Sequence, residues 1–493
     1  METSLHIRGS VCSLIKLTGL LTGAALTAVL LSFGCSQNAE DGKECPGPPA
    51  NTDTAMLIRE NLESATPLPQ ELVAAWTQAG AEVGWTTNMA GFVVFRAGIE
   101  GKKGEVPAFQ FSDWRDGILG KLPQPRRAFG LSLAETKVTD TGVKELTRLS
   151  ALQSLSLALT KVTDAGTKEL AGLKGLQALD LGFTKITDAG LTELAGFSTL
   201  QSLSLYGAKV TDTGLKDLAG LKGVLTLNLG ETQVTDAGLK NLAGMKALET
   251  LVLFRTNVTD AGLKELVGLK SLQWLNLDYT RVTDAGLKEL RGLERLESLN
   301  LSDTQVTGTG LKELTGLKSL HKLGFGGRNV SDASVKETVR LKGLQWLWLG
   351  SSQVTDEGLK ELSELKDLQH LILMVTQVTD TGAKTLANLK GLQSLTLFQT
   401  QVTDSGLKEL ARLRELRSLS LGRTKVTDAG LKELARLKDL QTLDLGFTQI
   451  TDAGLKELAG LRALRDLDLR ETKVSDTGVA ELHKALPAIK IYR

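Results

Sequence analysis

The chain has 493 residues and a formal net charge of +1, from 58 Lys and Arg against 57 Asp and Glu. This balance argues against a nucleic-acid partner, because phosphate binding needs a clustered basic excess. Three cysteines cannot form a disulfide scaffold, and because only 4% of the residues are aromatic, aliphatic residues must fill any core. An aliphatic chain of this length with 51 glycines is best searched first for internal repeats.

The first predicted element is an export signal. Two basic residues precede an uncharged apolar run at residues 17–33, which would be about 25 Å long as a helix and is short for a bilayer core. This layout predicts a signal peptide over residues 1–34. The pair Gly34-Cys35 then resembles a bacterial lipoprotein cleavage box, which implies lipidation of Cys35 and a membrane-anchored protein of the bacterial cell envelope. Plain cleavage to a secreted protein and an uncleaved signal anchor remain open.

Two short segments follow the signal. Residues 35–66 are polar and contain three prolines, which predicts a flexible tether. A small α+β N-terminal cap domain is expected at residues 67–129, with a helix starting near Pro69 and short strands at residues 92–95 and 108–111. Such a cap would shield the apolar edge of the region that follows. A separate ligand-binding module is the alternative.

Residues 130–486 repeat with a period of 24 residues. The pair Thr139-Asp140 recurs at this spacing as far as Ser475-Asp476, which gives 15 copies in register. The consensus is L-x-x-L-x-L-x-x-T-x-V-T-D-x-G-L-K-E-L-x-x-L-K-x. It resembles the leucine-rich repeat, in the cysteine-containing subtype of F-box proteins and of ribonuclease-inhibitor-like arrays, with Thr in place of Cys or Asn, as in long bacterial arrays.

This resemblance implies an α/β solenoid, a horseshoe or arc. Its parallel β-sheet would form the concave face and its α-helices the convex face, and residues 487–493 would add a C-terminal cap strand. Within each repeat, Thr163 or Asp164 can accept the free amides at the start of a helix. The column of Thr160 predicts a hydroxyl ladder, in which each Thr bonds the backbone of the neighbouring turn.

Four variable columns, aligned with Ser154, Ser156, Ala158 and Leu159, are expected on the concave face. Nine of the 11 aromatic residues of the repeats lie in these columns. Because exposed apolar surface with aromatic anchors is typical of contact sites, these columns predict where a partner binds. The predicted binding residues are Trp346, Trp348, His370, Ile372, Met374, Phe398, Phe254, Trp274, Tyr279 and Tyr206. The alternative is that concave side chains only cover one another.

The same columns have two further features. They contain nine acidic and four basic residues, which predicts a mildly acidic inner face. In the ninth repeat, Gly324, Gly326 and Gly327 replace larger side chains beside Trp346 and Trp348. This strip is either the floor of a cleft next to an aromatic wall or one degenerate repeat.

No motif in the sequence predicts catalysis. None of the four His lies in an H-E-x-x-H or beside a C-x-x-C, and no G-x-S-x-G elbow occurs. We therefore predict no enzyme, no catalytic residue, no metal and no cofactor. The favoured hypothesis is an exported scaffold that binds a protein or another macromolecule through its concave face. A structural or adhesive envelope protein is the first alternative, and an F-box-like substrate receptor of a ubiquitin ligase, implied by the resemblance alone, is the second.

Overall fold

A computed structural model describes residues 66–98 and 100–493. The predicted signal peptide, Cys35 and residues 35–65 of the predicted tether lie outside the described residues. The described chain divides into two compact units, an N-terminal unit that ends at Arg281 and a C-terminal unit that begins at Val282. Among the described residues, no helix is long and apolar enough to cross a membrane.

The described part of the N-terminal unit, from residue 66 onward, starts with one helix and three strands. They are α1 (Gln70–Gln78), β1 (Ala81–Met89), β2 (Phe92–Ala97) and β3 (Val106–Phe111). Strand β1 lies between β2 and β3 and is antiparallel to both. The helix near Pro69 and the strands at residues 92–95 and 108–111 are present as predicted. The sequence did not predict β1, because its residues AEVGWTTNM do not alternate between apolar and polar. The strand is held by pairing with β2 and β3 and by packing against α1.

Aromatic packing holds this region against the first repeat. Trp76 of α1 stacks on Phe109 with ring centroids 4.4 Å apart, and it meets the edge of Phe129 at 6.0 Å. Its indole Nε1 donates to the carbonyl oxygen of Pro123 at 2.9 Å. Because Trp76, Phe109 and Phe129 are all 0% exposed, these rings form an aromatic core between this region and the first repeat.

Seven repeats contribute one strand each to the N-terminal unit. These strands are β4 (Phe129–Ser132), β5 (Leu152–Ser156), β6 (Ala178–Asp180), β7 (Ser202–Ser204), β8 (Thr226–Asn228), β9 (Thr250–Val252) and β10 (Trp274–Asn276). Strand β3 pairs in parallel with β4, and the sheet continues in parallel to β10. The register follows the period of the sequence, since Leu179 pairs with Leu155 and Leu203 with Leu179.

A short helix follows each strand where the repeat reads D-x-G-L-K-E-L. In the N-terminal unit these are α2 (Asp140–Leu146), α3 (Asp164–Leu170), α4 (Asp188–Leu194), α5 (Leu215–Leu218), α6 (Asp236–Leu239) and α7 (Asp260–Leu266), with 3₁₀ turns at Leu119–Lys121 and Lys240–Gly244. The side chain of Thr163 accepts the N–H of Ala165 at 3.3 Å and so caps α3. Leucines such as Leu170 and Leu179 are 0% exposed between helix and sheet.

The C-terminal unit repeats the same arrangement. Its strands are β11 (Ser298–Asn300), β12 (Lys322–Gly324), β13 (Trp346–Trp348), β14 (His370–Ile372), β15 (Ser394–Thr396), β16 (Ser418–Ser420), β17 (Thr442–Asp444), β18 (Asp466–Asp468) and β19 (Lys490–Tyr492), all paired in parallel in this order. Its helices are α8 (Asp332–Thr338), α9 (Asp356–Leu359), α10 (Asp380–Leu386), α11 (Asp404–Leu410), α12 (Asp428–Leu434), α13 (Asp452–Leu458) and α14 (Asp476–Ala485). The 3₁₀ segments are Leu287–Gly292, Leu311–Leu314 and Lys360–Glu364.

The Thr-Asp pair of the repeat connects consecutive repeats. Asp164 Oδ1 accepts the backbone N–H of Thr187 at 2.7 Å, and its Oδ2 accepts the hydroxyl of the same Thr at 2.7 Å. The glycine of the next repeat is required by this contact, because a Cβ at Gly190 would lie 2.6 Å from Asp164 Oδ1. The Asp therefore bridges forward to the next repeat, while the preceding Thr caps the helix.

The Thr of the strand turn behaves differently from the prediction. The hydroxyl of Thr160 donates to the carbonyl oxygen of Leu157, three residues earlier in the same turn, at 2.6 Å. Thr184 makes the same bond to Leu181 at 2.7 Å. The predicted hydroxyl ladder between neighbouring turns is therefore wrong. The chain turns so tightly after the strand that the nearest carbonyl belongs to the same repeat.

Candidate functional site: two aromatic patches

The predicted binding residues lie on the face of the sheet that carries no helices, which we call the helix-free face. In β16 the central Leu419 is 1% exposed on the helix side, whereas Ser418 and Ser420 on either side of it are partly exposed. Alternate residues of a strand point to opposite faces. The columns flanking the central Leu therefore form the helix-free face in each unit.

The C-terminal patch consists of Trp346, Trp348, His370, Ile372, Met374 and Phe398. Strand register brings its members side by side, because Trp346 pairs with His370 and Trp348 pairs with Ile372 across β13 and β14. The two indole rings are tilted by 47° with centroids 6.3 Å apart. Trp346 and Trp348 lie two positions apart on one strand, and each pairs with a residue 24 positions later on the next strand. These four residues therefore form one surface.

The members of the C-terminal patch differ in exposure. Trp346 and Ile372 are only 5% and 6% exposed, so they form the base of the patch. Trp348, His370, Met374 and Phe398 are partly exposed and can contact another molecule. A surface with a buried aromatic base and exposed apolar side chains is typical of a protein contact site.

His370 is the only titratable member of this patch. Burial lowers the pKa of His370, and the positive charge of Lys322 lowers it further. The imidazole is therefore neutral at physiological pH. In this state it can offer one ring N–H and one ring acceptor to a partner.

The glycines of the ninth repeat are covered by neighbouring side chains, and Trp348 covers Gly326. A Cβ at Gly326 would lie 2.9 Å from Trp348 Cδ1, and one at Gly350 would lie 2.8 Å from Trp348 Nε1. Gly326 is itself buried. Gly324 lies against Asn300 and Gly327 against Asp303, and both are also buried. The strip is therefore not an open cleft floor.

The N-terminal patch consists of Tyr206, Phe254, Trp274 and Tyr279. Tyr206 stacks on Phe254 with centroids 6.1 Å apart, and the edge of Tyr279 meets Phe254 at 5.7 Å. Tyr279 is 47% exposed and Trp274 is partly exposed on β10. All four are among the predicted binding residues, and Tyr206, Phe254 and Tyr279 form one row of rings.

An arginine organises this patch. The guanidinium of Arg255 lies 5.1 Å from the ring centre of Phe254 and 4.8 Å from that of Tyr279. It also forms an ion pair with Glu231 at 3.2 Å, and Glu231 accepts the hydroxyl of Tyr206 at 3.1 Å. Burial and the charge of Glu231 raise the pKa of Tyr206, so its hydroxyl stays protonated and donates to Glu231. The two rings and the ion pair with Glu231 together hold the guanidinium in one orientation.

The β1–β2 hairpin lies on the helix-free face of the N-terminal unit, beside this patch. Strand β2 packs against β5 and β6. Phe92, which follows the hairpin turn, meets the edge of Tyr206 with centroids 5.4 Å apart. Asn228 donates from Nδ2 to the carbonyl oxygen of Ala90 at 3.0 Å. The sequence did not predict this contact, since no pattern links residues 138 positions apart.

The hairpin also covers a carboxylate. Asp180 is 3% exposed, accepts the N–H of Gly182 at 3.0 Å and lies 3.5 Å from the hydroxyl of Ser156. Burial raises the pKa of Asp180 to about 6, although the N–H groups of Gly182 and of Val93 on β2 act in the opposite direction. Docking of the hairpin is therefore linked to the protonation of Asp180.

The patches offer aromatic rings and an imidazole, with the guanidinium of Arg255 beside them, and these groups suit non-covalent contacts. Within the part of the chain that the structure describes, no group of three or more His, Cys, Asp or Glu could hold a metal ion. Cys35, the predicted lipidation site, lies outside the described residues.

Comparisons with known proteins agree with this architecture. A family model described as leucine-rich repeat region matches residues 186–429, and a second, described as leucine rich repeat, matches residues 176–195 and 437–459. No curated protein matches the chain.

Several solved structures are also similar. An internalin from Listeria monocytogenes is 21% identical over 77% of this chain and 88% of its own, with a TM-score of 0.38. A leucine-rich repeat protein from Leptospira interrogans is 28% identical over 74% of this chain and 89% of its own, with a TM-score of 0.48. TLR13, crystallised in complex with ssRNA13, is 18% identical over 78% of this chain and 65% of its own, with a TM-score of 0.50, and shares the fold.

Proposed function

Because this chain is a leucine-rich repeat protein, we propose that it is a non-enzymatic binding scaffold that recognises another protein through its helix-free face. The observation that carries this proposal is the C-terminal patch, in which strand register places Trp348, His370 and Met374 on a base formed by Trp346 and Ile372. A large aromatic anchor above a packed apolar base is the usual centre of a protein–protein contact.

The balance of charge supports a protein partner over a nucleic acid. The chain has a net charge of +1, and the binding columns contain more acidic than basic residues. A polyanionic backbone would be repelled by this face, whereas a neutral or mildly basic protein surface would not. The aromatic rings then provide contact area at a low cost in side-chain entropy.

We extend the proposal to the location of the protein, on the strength of the sequence alone. Export through residues 1–34 and lipidation at Cys35 would place the repeats outside the cytoplasmic membrane, held by a tether. Labelling of cells with a palmitate analogue tests this step, and the label should be lost in the variant Cys35→Ala. Release of unlabelled protein by the wild type would favour plain cleavage instead.

A pull-down from the envelope of the native cell tests the proposed recognition. The variant Trp348→Ala removes the exposed indole and leaves the buried Trp346 in place, so the fold should persist. Because a central aromatic anchor contributes about 2 kcal/mol or more to binding, recovery of the partner should fall by about thirtyfold or more.

The variant Phe447→Ala is the matched control. Phe447 is an aromatic residue of the same unit, is 40% exposed, and lies outside the C-terminal patch. Its removal should leave recovery of the partner unchanged. Equal loss in both variants would indicate a structural or adhesive protein with a distributed surface, and full recovery by Trp348→Ala would refute the patch as the binding site.

A further inference from the structure

The contact between the hairpin and the sheet defines a docking site for a β-turn. The site has two parts. The first is the ring of Tyr206, which lies in the column of Ala158. The second is the side-chain amide of Asn228, which lies one repeat later in the column of Ser156. The ring contacts Phe92, and the amide donates to the carbonyl oxygen of Ala90. Asn228 is 0% exposed. The chain's own hairpin thus shows which groups of a turn this face can bind.

The same two parts recur two repeats later. Phe254 and Asn276 each lie 48 positions beyond Tyr206 and Asn228, whereas the repeat between has Gly230 and Val252 in these columns. Asn276 has the orientation of Asn228. Its Oδ1 accepts the N–H of Asp278 at 2.9 Å, as that of Asn228 accepts the N–H of Gly230 at 3.0 Å.

The second pair differs from the first in the exposure of its amide. Asn276 is partly exposed whereas Asn228 is buried, and the rings of Tyr206 and Phe254 are both partly exposed. Because the backbone N–H of Asp278 fixes Oδ1, the Nδ2 group of Asn276 is directed as that of Asn228 is, toward the place of a turn carbonyl. The ring of Tyr279 and the guanidinium of Arg255 border the position on the far side from Tyr206.

We propose that Phe254 and Asn276 form a second β-turn site, which binds a turn of a partner protein in the way that Tyr206 and Asn228 bind the hairpin of this chain. This inference rests on the proposed function, since it names one site on the recognition face and the chemistry of its occupant.

The hairpin specifies the chemistry of that occupant. Ala90 and Gly91 form a tight turn with φ of +54° and +92°. A Cβ at Gly91 would lie 2.8 Å from Cβ of Asn228, so glycine is required at the point of closest approach. The residue after it is Phe92. The partner's turn therefore presents a carbonyl, then a glycine, then an aromatic side chain.

A cyclic peptide that contains residues 88–93, NMAGFV, closed as a two-stranded hairpin, is the probe. It should bind the full chain saturably in fluorescence anisotropy, and the variant Asn276→Asp should weaken this binding about fivefold, the loss of one hydrogen bond. This substitution keeps the acceptor for the N–H of Asp278. The fold accepts it, because Asp180 and Asp444 stand in the same column and accept the equivalent N–H at 3.0 and 2.9 Å.

Two further variants separate the possible outcomes. Phe254→Ala should also weaken peptide binding about fivefold, whereas Phe398→Ala, which removes a ring from the same column in the C-terminal patch, should not change it. No saturable binding, or equal affinity for wild type and Asn276→Asp, would overturn the proposal. Loss in Asn228→Asp alone would mean that the peptide exchanges with the chain's own hairpin, and it would also overturn it. None of these results bears on the pull-down that compares wild type with Trp348→Ala. The proposed function is therefore tested independently of this second site.

Discussion

Replacing Asp180 by Asn should remove a pH dependence from the stability of the N-terminal unit. The carboxylate lies under β2, and burial raises the pKa of Asp180 from 3.8 to about 6. Asn keeps an acceptor for the N–H of Gly182, and Asn228 already has this arrangement two repeats later. The substitution therefore removes the charge and retains the local geometry.

The size of the expected difference in stability follows from the shift in the pKa of Asp180. A rise of the pKa of Asp180 by about two units means that ionising this group costs the folded state about 3 kcal/mol relative to the unfolded chain. Because the pKa is raised on folding, the contribution to stability is fully present below pH 4 and is lost as the pH rises through 6. The wild type should therefore be less stable than Asp180→Asn by about 3 kcal/mol at pH 7.5, and the two proteins should converge near pH 4.

Urea unfolding at several pH values between 4 and 7.5 measures this difference in the free energy of unfolding. Because a stack of repeats can open locally, hydrogen exchange of the peptide that contains β6 then measures the stability of the region around Asp180. Asp468→Asn is the control. Asp468 stands in the same column but forms an ion pair with Arg470 at 2.8 Å, so its loss should destabilise the chain at neutral pH. A constant difference between wild type and Asp180→Asn at every pH would refute the linkage between hairpin docking and this carboxylate.

Three smaller predictions concern the repeat itself. Asp380→Ala removes bonds of 2.8 and 2.7 Å to Thr403 of the next repeat and should cost about 2–3 kcal/mol in urea unfolding, whereas Asp476→Ala, in the last Thr-Asp-type pair, should cost much less. Gly190→Ala should cost about 1–3 kcal/mol by the same measurement, because its Cβ would lie 2.6 Å from the carboxylate of the preceding repeat, and an unchanged midpoint would contradict this packing role. Val375→Gly should raise the free energy of unfolding by about 1 kcal/mol, since a β-branched residue at φ +55° is strained, and a lower midpoint would show that the strain is offset.

Much of this protein follows from the period of its sequence. The strands, the short helices and the parallel register recur every 24 residues, because each 24-residue repeat buries its leucines only by stacking on similar neighbouring repeats. The same period places Trp346 beside His370, since equivalent columns of adjacent strands must pair. Residues whose neighbours lie at a fixed offset can be located from sequence.

Contacts without a fixed offset could not be located in this way. The hairpin reaches Tyr206 and Asn228 from outside the repeats, and its strand β1 shows no alternation that would reveal it. The predicted Thr ladder failed for a related reason. Sequence showed that the hydroxyl recurs, but the tightness of the turn decides which carbonyl it meets.

The sequence by itself determined the repeat, its register and the columns that lie on the helix-free face, because side-chain direction in a strand alternates and the period is constant. Only the tertiary structure decided which of those columns are open. Trp348 covers Gly326, β2 covers Asp180, and Asn276 is left accessible where Asn228 is not. Exposure depends on every chain segment that packs against a surface, including segments that share no pattern with it.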